Sequence, residues 1–256
     1  MFTSKDPRPY IDTHFHLDLY PSPEQTARQI EDKKVYTIAV TNTPSVFKHT
    51  KALTEELKFV RPALGLHPEL ASERADELGL MLELLPKTRY VGEIGLDYAS
   101  SSQENKKIQR QVFEKILDKC SSEGGKVLTI HSRQAAQDVV NMLQGFNGTP
   151  ILHWYSGSKK TLEQALSNGC YFSVNPNMAR TKKFERVLSW IPKERLLTET
   201  DGPFVEVSER PAEPNDTALV VKQISRVWGV STRVVREKIF SNFKRLLQET
   251  QEKYYA

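Results

Sequence analysis

Eight short runs rich in β-branched and aromatic residues recur along the chain, at Tyr10–His16, Val35–Thr41, Val60–Leu66, Tyr90–Leu96, Lys126–His131, Ile151–Tyr155, Cys170–Val174 and Arg195–Thr200. Between them lie segments whose apolar residues return every three or four positions, such as Gln111–Ile116 and Lys183–Trp190. That spacing predicts amphipathic helices. Ser22-Pro23-Glu24-Gln25 reads as an N-cap, a proline at the first helical position and a capping-box glutamine. Thr43-Pro44 repeats the device, and Gly124-Gly125, Gly145 and Asn168-Gly169 mark helix ends.

Strands alternating with helices eight times in 256 residues is the arithmetic of an α/β fold of the (β/α)8 TIM-barrel type. A doubly wound open sheet is the rival for such a pattern. Against it, neither GxGxxG nor GxxxxGK[ST] follows the first strand, so the usual phosphate loops are missing. No low-complexity segment, long linker or charge block marks a boundary. The expectation is one barrel domain over residues 1–256, with amphipathic helices at Ala218–Trp228 and Arg233–Gln248 packed on its outside.

Composition removes whole classes. With 38% hydrophobic and 27% charged residues, the chain reads as globular and rather polar, and no apolar run approaches the ~18–20 residues of a membrane span. The opening MFTSKDPRPY has no apolar signal core. Cys120 and Cys170 form no CxxC, so a reducing cytoplasm is expected. A net charge of +4 permits a phosphate-rich partner without demanding one.

The chemistry lies in where the polar residues fall. His14 and His16 close the first run, and period 2 puts Asp12, His14 and His16 on one face. His67 follows the third run, Glu93 lies in the fourth, His131 ends the fifth, His153 lies in the sixth and Asp201 ends the eighth. In a barrel the carboxyl ends of all strands converge on one mouth. Five of the six histidines would meet there with two carboxylates. A lone strand histidine is ordinarily a packed, hydrogen-bonded side chain, Glu93 alone would serve as an ion-pair partner, and Asp201 before Gly202-Pro203 fits a turn. Together they are costly to desolvate unless something pairs them, and a divalent metal does so. Imidazole with carboxylate suits Zn, Mn, Fe or Ni, and Mg where waters complete the shell. So many ligands exceed what one catalytic ion takes, so two ions ~3.5–4 Å apart are expected, bridged by Glu93. Such a pair suits hydrolysis of a phosphodiester, ester or amide. His49, in the polar helical stretch Phe47-Lys48-His49-Thr50-Lys51, reads as a surface residue.

These landmarks carry a family likeness. From Ile11-Asp12-Thr13-His14-Phe15-His16-Leu17, through Gly65-Leu66-His67-Pro68, Gly92-Glu93-Ile94-Gly95-Leu96-Asp97-Tyr98 and Ile130-His131-Ser132-Arg133-Gln134-Ala135, to Glu199-Thr200-Asp201-Gly202-Pro203 and Asn242-Phe243-Lys244-Arg245-Leu246, the chain resembles the TatD-like metal-dependent hydrolases. These are deoxyribonucleases with an amidohydrolase-like barrel. Within the family it is similar to a branch exemplified by QatD of the bacterial Qat anti-phage systems. The resemblance implies one metal on His14, His16, Glu93 and Asp201 and a second on Glu93, His131 and His153, each Mg²⁺, Mn²⁺ or Zn²⁺. It implies that Asp201 orients the attacking water and takes its proton, and that His67 and Arg133 hold the scissile phosphate, a task suited to an imidazolium and a guanidinium fork. Glu199 would hydrogen-bond a ligand from behind. The implied partners are DNA, as single strands or 3′ ends, and other defence proteins.

The chain departs from the family at His153-Trp154-Tyr155-Ser156-Gly157, where an aromatic pair could stack a base, although adjacent strand residues point opposite ways and one of them belongs to the core. It departs again in the loop Glu209-Arg210-Pro211-Ala212-Glu213-Pro214-Asn215 and in a short stretch after Tyr98. Two other readings compete. A small-molecule amidohydrolase or lactonase would often bridge its metals with a carboxylated lysine on the fourth strand, which here offers Glu93 and no lysine. The third reading is a non-catalytic partner-binding barrel; a complete ligand set argues against an inactive relic, while the altered loops keep that reading open.

Overall fold

The structure, a computed structural model, describes residues 8–255. Its eight parallel strands are β1 (Ile11–Phe15), β2 (Tyr36–Val40), β3 (Val60–Ala63), β4 (Tyr90–Gly95), β5 (Val127–His131), β6 (Thr149–Leu152), β7 (Tyr171–Val174) and β8 (Leu196–Thr198). They alternate with α1 (Pro23–Lys33), α2 (Pro44–Thr54), α3 (Leu78–Leu84), α4 (Gln103–Glu123), α5 (Ala136–Met142), α6 (Lys159–Ser167), and the pair α7 (Pro176–Ala179) and α8 (Phe184–Trp190). After β8 come a small hairpin, β9 (Glu206–Val207) with β10 (Arg210–Pro211), then α9 (Thr217–Trp228) and α10 (Thr232–Tyr255).

Two ladders, β1-β2-β3 and β4 through β8, make up the wall. Two seams close it. Between β3 and β4 the amide of Leu64 donates to Tyr90 O at 3.0 Å and that of Gly92 to Leu64 O at 2.8 Å. Between β8 and β1 the bonds are unusual. Thr198 Oγ1 donates to Ile11 O and Thr13 Oγ1 to Thr198 O, while the Asp201 amide donates to His14 O and the His16 amide to Gly202 O, both at 2.9 Å. The ring is a TIM barrel, as the strand–helix rhythm predicts.

The helices cover the outside for the ordinary reason. On α4 the stripe Val112, Phe113, Ile116, Leu117 and Cys120 is buried, and burying such a side chain fully is worth about 1.5–3 kcal/mol. Phe15 and Ala39 pack outward beneath Ala27 and Ile30 of α1. The terminal helices also lie outside, as expected. Val235, Ile239, Phe243 and Leu246 of α10 are buried, and Asn242 Nδ2 donates to the carbonyls of Lys193 and Leu196 beside β8.

Three local expectations need correction. Ser22 and Thr43 do occupy N-caps ahead of prolines, but neither side chain caps a backbone amide; Thr43 Oγ1 bonds Ser45 Oγ instead. Working caps are instead found at Ser102 and Ser158, which accept from Asn105 N and Thr161 N at 3.1 Å, and at Asn175, which accepts from Met178 N at 2.9 Å. The sixth strand begins at Thr149 and ends at Leu152, so His153 follows the strand rather than lying in it. The chain turns there because Trp154 takes a left-handed φ of 40°. The eighth strand stops at Thr198, and Asp201, with φ 55°, sits in the turn beyond it.

Candidate metal centre

The carboxyl ends of the strands bring His14, His16, His67, Glu93, His131, His153 and Asp201 into one cluster at the floor of a pocket of about 510 Å³. Glu93 is central, and backbone geometry puts it there. A Cβ on Gly92 would lie 2.1 Å from Thr129 Cγ2, and one on Gly95 would lie 2.2 Å from His131 O. Glycine on either side therefore lets β4 press against β5, which aims the intervening carboxylate at the barrel axis. Glu93 is only 2% exposed.

Its two oxygens face different partners. Oε2 lies 3.3 Å from His14 Nε2 and 3.4 Å from His16 Nε2, and the same two nitrogens lie 3.6 and 3.5 Å from Asp201 Oδ1. Oε1 lies 2.6 Å from His131 Nδ1, 2.9 Å from His153 Nε2 and 3.4 Å from His67 Nε2. The two imidazole nitrogens of His14 and His16 approach to 3.3 Å, which requires a shared proton or a cation between them. A cation with ligands at ~2.0–2.2 Å draws its donors to about this spacing. The donor chemistry fits divalent ions. Three groups of His, Asp and Glu atoms among the described residues are tight enough to hold one.

Further side chains fix these rings. His131 Nε2 is 2.7 Å from Asp97 Oδ2, and His14 Nδ1 is 2.7 Å from Thr129 Oγ1. Such partners set the tautomer of a ligating histidine and leave its other nitrogen for the metal. Asp97 and Thr129 were not among the expected site residues. Asp97 stands four places after Glu93 in the Gly92–Tyr98 stretch, and that spacing is the signal that could have found it. Asp12 accepts the amides of His14 and Thr200 at 3.2 and 3.0 Å and also bonds Thr200 Oγ1. Glu199 accepts from Trp154 N, Asn175 Nδ2 and Ser173 Oγ, and its Oε1 is 3.7 Å from His153 Nδ1. It therefore braces the loop after β6 from behind the pocket.

Burial and charge oppose each other here. Burial disfavours ionised Glu93, yet the surrounding His67, His14, His153 and His131 outweigh it and hold the carboxyl well below its usual range. Asp201 is held down by His16, His14 and His153 against the same burial penalty. Burial also works against charge on His16, but Asp201 and Glu93 lift that imidazole to about 9. His153 is raised by Glu93 and Glu199 despite its burial. His14, buried beside His153, is lowered.

Arg133 lines the pocket wall from an exposed position. His67 is mostly buried, and its Nδ1 accepts Glu69 N at 3.2 Å. Of the aromatic pair, Tyr155 is a core residue, 2% exposed with its hydroxyl on Ser158 O; Trp154 alone lines the pocket. His49 is exposed on α2, away from the cluster.

The family described as TatD related DNase matches residues 11–248. The chain belongs to the TatD-related DNase family. Among curated relatives, it is 29% identical over 254 residues to YabD of Bacillus subtilis (strain 168), an uncharacterized metal-dependent hydrolase, covering 93% of this chain and 98% of that protein. It is 26% identical over 267 residues to the deoxyribonuclease TATDN3 of Homo sapiens, covering 93% and 97%. Among solved structures, the TatD homologue YjjV from Escherichia coli K12 superposes with a TM-score of 0.82 at 24% identity, over 93% of this chain and 97% of that one. That likeness is one of fold. No helix among the described residues of this TatD-family chain is long and apolar enough to cross a membrane.

Proposed function

We propose that this single-domain TatD-family barrel is a divalent-metal-dependent deoxyribonuclease that hydrolyses phosphodiester bonds, removing nucleotides from the 3′ end of single-stranded DNA. The observation that carries the reading is Glu93, whose two oxygens each face a separate set of imidazole nitrogens. His14, His16, Glu93 and Asp201 would hold one ion, and Glu93, His131 and His153 the other, as Mg²⁺, Mn²⁺ or Zn²⁺. Two bound ions supply a hydroxide near neutral pH and stabilise both the attacking and the leaving oxygen.

The chain's own groups do the rest. Asp201 borders the pocket at the edge of the first donor set and accepts the proton of the attacking water. His67, beside Glu93 Oε1, and Arg133, which lines the same pocket, orient the scissile phosphate through charge-assisted hydrogen bonds. A pocket at the end of a closed barrel receives a strand terminus more readily than a duplex, which supports exonuclease action. The proposal extends to service beside other proteins of an anti-phage defence assembly.

The test uses oligonucleotides labelled at either end, single- or double-stranded, with Mg²⁺, Mn²⁺, Zn²⁺ or chelator. A ladder shortening from the 3′ end of the single strand, abolished by chelator, is expected. Absence of cleavage with all three metals overturns the nuclease reading, and internal cuts alone overturn the exonuclease part. Phage challenge of cells carrying wild-type or Glu93→Ala protein tests the defence setting; equal plaque counts would reject it.

A further inference from the structure

Phe204 stands out on the surface. Five large hydrophobic residues are exposed among the described residues, Leu19, Phe204, Leu219, Val227 and Val234. Phe204 is the only aromatic among them, the most exposed at 62%, and the one that lines the pocket over the metal cluster. Its position is set by the same turn that presents Asp201, closed by the Val205 amide donating to Asp201 O at 3.1 Å. The ring meets His16 perpendicularly, with centroids 4.9 Å apart. One side of Phe204 is thus fixed against a cluster residue while the remainder faces the pocket and solvent. Arg133 and Trp154 line the same pocket, and Trp154 is packed against Val205, Val207 and Ala212, so the aromatic wall is braced.

An apolar ring left this bare costs solvation that a folded chain ordinarily avoids by packing it. Placed beside a guanidinium and a carboxylate–imidazole centre, it complements a ligand with a flat apolar face attached to an anion. A nucleotide has that form. Stacking of a base on an aromatic ring is worth about 1–3 kcal/mol and tolerates any base, because each has a π-face.

We propose that Phe204 is the stacking platform for the nucleobase next to the scissile phosphate, and so sets the enzyme's preference for base-bearing nucleic acid over other phosphodiesters. This rests on the nuclease reading above. Because Phe204 supplies no donor atom to the cluster, its contribution falls on substrate binding. Sequence preference should be slight, since stacking reads no base edge.

The experiment compares binding of two cleavage-resistant, fluorescently labelled phosphorothioate single strands in the presence of Mn²⁺. One is intact, and the other is abasic at its last three nucleotides. Wild-type protein is expected to prefer the intact strand by about 5-fold to 150-fold, the range that stacking energies give. Phe204→Ala should lose that preference and bind the intact strand as wild type binds the abasic one. Phe204→Trp should restore it, and Phe204→Leu should not. Manganese content, measured in each variant, is expected to be unchanged. Equal affinity of wild type and Phe204→Ala for the intact strand overturns the platform and leaves the nuclease reading standing. Wild-type binding of neither strand overturns both. An undiminished preference in Phe204→Ala also overturns the platform and assigns base contact elsewhere.

Discussion

Replacing Asp97 by asparagine should loosen the second ion without disturbing the first. Asp97 is buried, with Oδ2 at 2.7 Å from His131 Nε2 and Oδ1 accepting Ala99 N at 2.9 Å. Its own amide donates to Gln109 Oε1, so asparagine can keep the loop. It cannot keep both acceptor contacts. If the amide oxygen stays on Ala99, the NH₂ donates to His131 Nε2 and forces the ring proton onto Nδ1, the atom 2.6 Å from Glu93 Oε1 that must be free for a cation. If the amide flips, its NH₂ confronts the Ala99 N–H. Either arrangement forfeits a charge-assisted bond worth about 1.5–3 kcal/mol, or roughly 12-fold to 160-fold in affinity. This overlaps the ~10–100-fold usually lost with such orienting carboxylates. Competition with a chromophoric chelator should show one ion held as in wild type and one weakened by that factor. Oligonucleotide cleavage should recover as metal is raised. Two ions bound with wild-type affinity would refute the reasoning that Asp97 sets the His131 tautomer.

Other outcomes follow from the same geometry. Glu93→Ala should abolish cleavage and lower total metal content, whereas His49→Ala should change neither, as read by elemental analysis and turnover. Arg133→Ala should reduce cleavage of single-stranded DNA by roughly 12-fold to 160-fold, the worth of a lost charge-assisted contact, with metal content intact; equal activity would remove Arg133 from phosphate binding. The cation-free fold gains stability from protonated His16, fully below pH ~6.5 and fading as pH rises through about 9. Metal needs that ring neutral, so loading near neutral pH should release protons, detectable by titration calorimetry in buffers of different ionisation enthalpy. The acid limb of activity should accordingly be steeper than one proton and move to lower pH with added metal; a one-proton limb indifferent to metal would contradict it.

The barrel was readable from the chain because its strands are short β-rich runs bounded by glycine, proline and cap residues, and their period separates cleanly from that of the helices between. Strand ends were not, since Trp154 and Asp201 leave their strands through left-handed turns that no local preference of those residues announces. The His14–His16 pair is legible because period 2 forces both rings to one face. Asp97 and Thr129 escape that logic. Their contacts depend on how β4 and β5 sit against one another, a property of the assembled wall. For the same reason the sequence says that one of Trp154 and Tyr155 belongs to the core, while only the fold shows that it is Tyr155 and that Trp154 faces the pocket.

The seam between β8 and β1 has a temporal meaning. The backbones of His14 and His16 are bonded directly to those of Asp201 and Gly202, and the side-chain bonds beside them span 185 to 188 residues of sequence. Shutting the ring and gathering the first donor set are therefore one event. A chain still emerging from the ribosome, or clipped before its eighth strand, holds His14, His16 and Glu93 without the carboxylate that completes them. On the proposed ligand set, such a hydrolase gains the full complement of donors for its first ion only once both ends of the barrel have met.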